Sequence, residues 1–237
     1  MITSTTNATI KELMKLKQKK YRDSYYLIEG EHLVEEALKA NQVECLISTK
    51  QIHNDAVKVI VVSEQIMKKL TFTTHPQYIM AKCKIIHSDE ILPANRYLLL
   101  DNLQDPGNVG TLIRTALAFG IKQVILSPGC VDIYNDKVLR SMQGANFHIA
   151  CMYRNLEEVI PKLQQQGVYV LGTALEHAVS IEAIPFSDKM AYTVGNEGKG
   201  MRKEILRLCD NLAYIPITVM ESLNVAVAGS IMMYHFQ

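Results

Sequence analysis

Residues 192–201 read YTVGNEGKGM, and residues 212–236 read LAYIPITVMESLNVAVAGSIMMYHF. Each begins as an apolar, strand-like piece, at 190–194 and at 212–216, and each runs into an unusual loop. The first loop is Gly195-Asn196-Glu197-Gly198-Lys199-Gly200. The second carries Glu221-Ser222-Leu223-Asn224 and enters a helix rich in small apolar residues. Ligands in α/β folds bind where strands end at their carboxyl side. Two polar, conformationally special loops at two such ends therefore predict one shared site.

Upstream of this pair the chain alternates. An apolar strand is expected at 97–101, then a loop at 102–110 containing DPGNVG, then a helix at 111–119 closed by Gly120. Further strands fall at 124–126, 146–151 and 168–171, with helices at 135–142 and 156–166. Short strands separated by helices of this kind imply a parallel sheet covered on both faces. Residues 1–90 repeat the alternation on a smaller scale: strands near 25–29, 45–47, 59–62 and 83–87, and helices at 31–40 and 64–70, the latter capped by Ser63. Residues 71–80 resemble a loop, in which His75 is a candidate site residue, although a lone loop histidine beside Pro76 is more often incidental. The division expected is therefore residues 1–90, a linker, and residues 96–237.

Composition bounds the class. The 237 residues carry 25 Lys+Arg against 24 Asp+Glu and are 48% hydrophobic, which fits a soluble globular protein. Five cysteines, an odd number in no CxxC or Cys/His cluster, argue for a reducing cytoplasm and against a disulfide framework or structural zinc. The first residues do not form a secretory signal, and no apolar run approaches the roughly 20 residues of a membrane span. Charge is informative only locally. KELMKLKQKKYR at 11–22 holds six basic residues against Glu12, on a helix with a narrow apolar stripe. Such a strip binds phosphates, or is a solvated helix face.

Individually the candidate site residues are ambiguous. Arg114 follows apolar neighbours on a helix and needs an anionic partner unless it points outward. Glu197 sits among three glycines, which permit close backbone approach. Ser222 reads as a helix N-cap or as part of the site. The GxxxxGK[ST], GxGxxG and GxSxG patterns are absent, which argues against nucleotide loops and serine hydrolases.

Together, NVGTLIR at 108–114, VGNEGKG at 194–200 and IPITVMESLNVAVA at 215–228 resemble, in order and spacing, the three motifs of the SpoU branch of the SPOUT RNA methyltransferases. LKQKKYRDSYYLIEGEHLVEEAL at 16–38 resembles the RNA substrate-binding domain often fused to that branch. The resemblance implies a small N-terminal α/β RNA-binding domain and a mostly parallel α/β domain with a deep trefoil knot. It implies S-adenosylmethionine held near Leu171, Gly172 and Thr173, by Gly195, Asn196 and Gly198, and by Ile215, Ile217 and Leu223. It implies Arg114 as the group acting on a ribose 2′-hydroxyl, with Asn108, Glu197, Ser222 and Asn224 shaping the pocket. RNA, of the ribosome in the first instance and transfer RNA as the alternative, would meet Lys15, Lys19, Lys20 and Arg22. A homodimer joined through the C-terminal domain is expected, as are no metal and no membrane. A non-catalytic RNA-binding or assembly factor is the competing class, and Ile217–Met220 is its motive, since it lacks the glycine of the family's third motif.

Overall fold

A computed structural model describes residues 1–237 as two compact units. One comprises Met1–His87 and Tyr134–Phe147, the other Ser88–Ile133 and His148–Gln237.

In the first unit, Asn7 caps α1 (Ala8–Lys15), its side chain accepting from the Thr9 and Ile10 amides. The chain continues through β1 (Tyr25–Glu29), α2 (Glu31–Lys39), β2 (Val43–Ser48), β3 (Lys58–Val61), α3 (Glu64–Leu70) and β4 (Ile79–Lys84). The sheet order is β1-β4-β2-β3, with β4 antiparallel to both neighbours and β3 parallel to β2. The last strand lies earlier than its apolar pattern suggests, at 79–84 rather than 83–87. Its residues Ile79, Met80, Ala81 and Cys83 are buried because the strand is central, and a central strand shows no alternation. Ile10, Leu13 and Leu16 of the basic N-terminal segment, with Ile66, Met67 and Leu70 of α3, pack on one face of the sheet.

The second unit runs β5 (Arg96–Asp101), α4 (Pro106–Ala118), β6 (Gln123–Leu126) and then leaves for the first unit, where α5 (Asp136–Met142) belongs. There the Tyr134 ring lies 4.5 Å from that of Tyr26, and Asn146 donates to the Tyr26 hydroxyl at 3.0 Å. Val138, Leu139 and Met142 are buried. The chain resumes with β7 (Ala150–Tyr153), α6 (Leu156–Gln165), β8 (Tyr169–Thr173), β9 (Val179–Ser180), β10 (Met190–Gly195), α7 (Lys203–Leu208), β11 (Asn211–Tyr214) and α8 (Val225–His235). All seven strands are parallel, in the order β7-β6-β5-β10-β8-β11-β9. The carboxyl ends of β5, β8, β10 and β11 are neighbours, and their loops build the site.

Helix α4 begins at Pro106, five residues before the expected start at 111. Asp105 caps it, accepting from the Asn108 amide at 2.8 Å, and Pro106 occupies the first turn. Asn108 and Gly110 therefore lie inside the helix, and Arg114 stands more than two turns along it.

Candidate active site

The three loops meet through side-chain amides. Asn108 Nδ2 donates to Glu197 Oε1 at 3.2 Å, and the Asp105 amide donates to the same oxygen at 3.2 Å. Asn224 Nδ2 donates to Asn108 Oδ1 at 3.0 Å. One chain of hydrogen bonds thus joins the start of α4, the loop after β10 and the start of α8. Asn224 Oδ1 also accepts from the Ala226 and Val227 amides, so Asn224, and not Ser222, is the N-cap of α8.

The glycine loop is held from beneath. Asn196 and Gly200 exchange backbone hydrogen bonds of 3.0 and 2.9 Å, and Gly200 takes a positive φ of 68°. The Asn196 side chain accepts from the Gly198 and Lys199 amides and donates to the Asn102 carbonyl at 2.8 Å. Gly195 must be glycine: a Cβ there would lie 2.2 Å from the Met201 amide nitrogen. After the loop, the Arg202 amide and Nε both donate to the fully buried Asp101 carboxylate, each at 2.8 Å. Burial opposes the charge on Arg202, but its hydrogen bond to Asp101 and the field of Asp101, Glu157 and Glu204 outweigh it and raise its pKa. Asp101 is a site-building residue that sequence reasoning passed over. Its signal was an acid closing an all-apolar strand.

A cavity of about 1150 Å³ opens between these loops. Thr173, Gly195, Asn196, Glu197, Ile215, Ile217, Ser222, Leu223 and Asn224 line it. Leu206, Leu212, Val225 and Ala228 give it an apolar wall, and Lys199, Lys203 and Arg207 a basic rim. Leu171, Gly172 and Gly198 do not line it. Leu171 is fully buried within β8. Gly172 makes room beneath the cavity, since a Cβ there would meet Met201, Cys209 and Leu212 within 3 Å. Burial pushes the Cys209 thiol up to about 12, so it packs as an inert small group. Gly198 is the turn residue whose amide Asn196 holds.

Arg114 is exposed, forms no ion pair within the chain and does not line the cavity. The buried face of α4 is Val109, Leu112, Ile113 and Ala116, which turns Arg114 outward. In the first unit, Lys15, Lys19 and Lys20 are exposed, whereas the Arg22 guanidinium donates to the Tyr134 carbonyl. Lys15 and Lys20 stand over the Tyr21 ring, at 5.9 and 4.8 Å from its centroid. No helix is long and apolar enough to cross a membrane, and no cluster of His, Cys, Asp and Glu could hold a metal ion.

Comparison with known proteins gives concordant matches. The SpoU rRNA Methylase family model matches residues 95–234, and the MRM3-like substrate binding domain matches residues 7–81. The chain is 42% identical to the 23S rRNA (guanosine(2553)-2'-O)-methyltransferase RlmP of Bacillus subtilis, over all of this chain and 98% of that protein. It is 34% identical to the 23S rRNA (guanosine-2'-O-)-methyltransferase RlmB of Coxiella burnetii, over 76% of this chain and 77% of the other. The solved structure of an AdoMet-bound rRNA methyltransferase from Sinorhizobium meliloti superposes with a TM-score of 0.88 at 31% identity, covering 98% of this chain and 95% of that one.

Proposed function

The chain belongs to the SpoU rRNA methylase family, and on that premise we propose that it methylates a ribose 2′-hydroxyl of ribosomal RNA with S-adenosylmethionine as donor. The observation that carries this reading is the Glu197–Asn108–Asn224 hydrogen-bond chain beside a cavity large enough for a nucleoside.

The cavity suits such a donor. Ile215, Ile217 and Leu223 offer apolar surface to an adenine, and flush Gly195 lets backbone approach it. Thr173, Asn196 and Ser222 offer polar contacts to a ribose and an amino-acid end. When bound, S-adenosylmethionine supplies a methyl group already activated by its sulfonium. The remaining task of the protein is to position the attacking oxygen in line and to favour its deprotonation. Glu197, Asn108 and Asn224 hold the loops in one register, and Ser222 faces the same space. Arg114 does not act as a proton acceptor, because a guanidinium offers five N–H donors and no acceptor site. Its role is to clamp the phosphate beside the target ribose and to stabilise developing negative charge on the oxygen.

We further propose that this happens across a homodimer. Arg114 is exposed and does not line the cavity of its own chain, and α8 is mostly apolar with no distinct polar face. Val227 and Tyr234 on that helix remain exposed, with the Phe119 ring 6.0 Å from that of Tyr234. A second copy covering this face would bring its own Arg114 to the cavity. The trefoil knot expected of the family, and a cytoplasmic location that keeps the five cysteines as thiols, belong to the same proposal.

Mapping 2′-O-methylation in ribosomal RNA from cells with and without the protein tests the reading. A single methylated ribose that disappears on deletion supports it. An unchanged map, with no S-adenosylmethionine binding by calorimetry, leaves an RNA-binding factor that keeps the fold. Ile217–Met220 motivates that second outcome: Val219 and Met220 are 88% and 72% exposed there.

A further inference from the structure

Glu29 ends β1 with only 9% of its surface exposed, and no cation pairs with its carboxylate. Its partners are instead the Thr71 hydroxyl, the Phe72 amide at 2.9 Å, the Thr73 hydroxyl at 2.9 Å and the Gln77 amide at 3.1 Å. All four belong to the one segment between α3 and β4. Burying a carboxylate without a counter-charge is unfavourable unless donors surround it. Here the donors come from a surface connection whose own residues Thr74, His75, Pro76 and Gln77 are exposed. The carboxylate therefore fixes a backbone whose side chains face water.

The flanks of that segment carry aromatic rings with lysines over them. Lys17 Nζ lies 5.3 Å from the centroid of Phe72 and donates to the Lys69 and Thr71 carbonyls at 3.0 and 2.6 Å. Lys50 Nζ lies 3.9 Å from the centroid of Tyr78, whose hydroxyl donates to Glu31. A rigid tip bearing an imidazole and a carboxamide thus stands between two cationic, aromatic shoulders. Unpaired RNA presents matching chemistry: base edges for hydrogen bonds, base faces for stacking, and phosphates for ammonium groups.

We propose that residues 71–78 form a preorganised RNA-reading element of the first unit, with His75 and Gln77 meeting bases, Lys50 meeting a phosphate, and Glu29 as the positioning residue. The inference rests on the reading of the chain as an RNA methyltransferase. It goes beyond that reading by assigning recognition to a loop outside the basic N-terminal strip.

The test uses the full chain, with ribosomal RNA from cells lacking the protein as probe. The variants are His75→Ala/Gln77→Ala, Lys50→Ala and Glu29→Gln. The first two alter only exposed side chains, so their fold is retained. KM for RNA is expected to rise about tenfold or more in the double variant and in Glu29→Gln, with kcat and S-adenosylmethionine affinity near wild type. Lys50→Ala is expected to weaken binding and to reduce the salt dependence by about one counterion. RNA affinity measured by filter binding without cofactor decides the matter independently of transfer, so failure of the enzymatic reading and failure of this inference are distinguishable. Unchanged RNA affinity in the double variant overturns the inference and leaves a protein as the partner of this surface.

Discussion

Asn224 performs two tasks with one carboxamide. Its oxygen caps α8 and its nitrogen reaches Asn108, which in turn holds Glu197. The two tasks separate by substitution. Asn224→Asp keeps a capping oxygen but replaces the donor facing Asn108 with an acceptor. Its melting temperature is expected to stay close to wild type while methyl transfer falls at least tenfold, about 1.4 kcal/mol or more of lost transition-state stabilisation. Asn224→Ala loses the cap as well, and about 1 kcal/mol of stability with it. Arg114→Lys keeps the charge but not the planar fork. It is expected to lose about 100-fold or more of transfer, with calorimetric S-adenosylmethionine binding unchanged. Near-normal turnover in that variant would remove the guanidinium role. Glu29 makes a separate prediction. Burial raises its pKa, but hydrogen bonds from Thr71, Phe72, Gln77 and Thr73 outweigh this and hold the carboxyl below its ordinary value. A depressed native pKa means that the unfolded chain takes up the proton first. The stabilisation is therefore complete above the unfolded value of about 4.3 and fades as pH falls through the native one. In urea unfolding, the gap between wild type and Glu29→Gln is expected to shrink as the solution is acidified in that range.

At the scale of elements, most of the chain was legible, and each exception has a cause of its own. Helices α2, α3 and α6 follow their apolar spacing, and Ser63 caps α3 as expected. Strand β4 was displaced because a buried central strand carries no alternation, and Pro76 drew attention to the loop before it. The early start of α4 was written in Asp105-Pro106, a cap followed by a first-turn proline, but the glycines at 107 and 110 read as loop. The cap of α8 could not be read from sequence, because Ser222 and Asn224 are both capping types and only the geometry chooses. Eight of the residues anticipated in the motifs line the cavity, and Thr173 of β8 joins them. The buried supports, Asp101 with Arg202 and Asn196 with Asn102, were not legible, since long-range pairs leave no periodic trace. Gly195 offers the sharpest test of the loop. Gly195→Ala drives a methyl group into the Met201 backbone, which cannot move as a side-chain tip can. It is expected to lower stability by about 1–3 kcal/mol and to abolish S-adenosylmethionine binding, read by thermal melts with and without the cofactor.

For the whole molecule, the dimer proposal has two measurable sides. Tyr234→Lys and Val227→Lys place charge on the exposed apolar face of α8 without touching its buried face. Light scattering is expected to find monomers, and transfer is expected to fall with the loss of the dimer. If Arg114 serves the neighbouring cavity, mixing Arg114→Lys with Glu197→Gln subunits restores part of the activity that each lacks, because hybrid dimers contain one intact site. No recovery on mixing would place all the chemistry within one chain.

The excursion of Tyr134–Phe147 into the first unit has a practical consequence for dissecting the protein. The polypeptide passes between the units at three places, after His87, after Ile133 and after Phe147, so no single cut releases either one whole. A fragment starting at Ser88 keeps every residue of the parallel sheet but strips α5 of its partner strand β1. Val138, Leu139 and Met142 would then be bared to solvent, and the fragment is expected to bind a hydrophobic dye and to aggregate. A fragment of residues 1–87 would in turn leave Tyr26 without the Tyr134 ring and the Asn146 amide. Joining 1–87 to 134–147 through a short linker is the division that respects the packing, and it is the version of the first unit in which RNA affinity can be measured by itself.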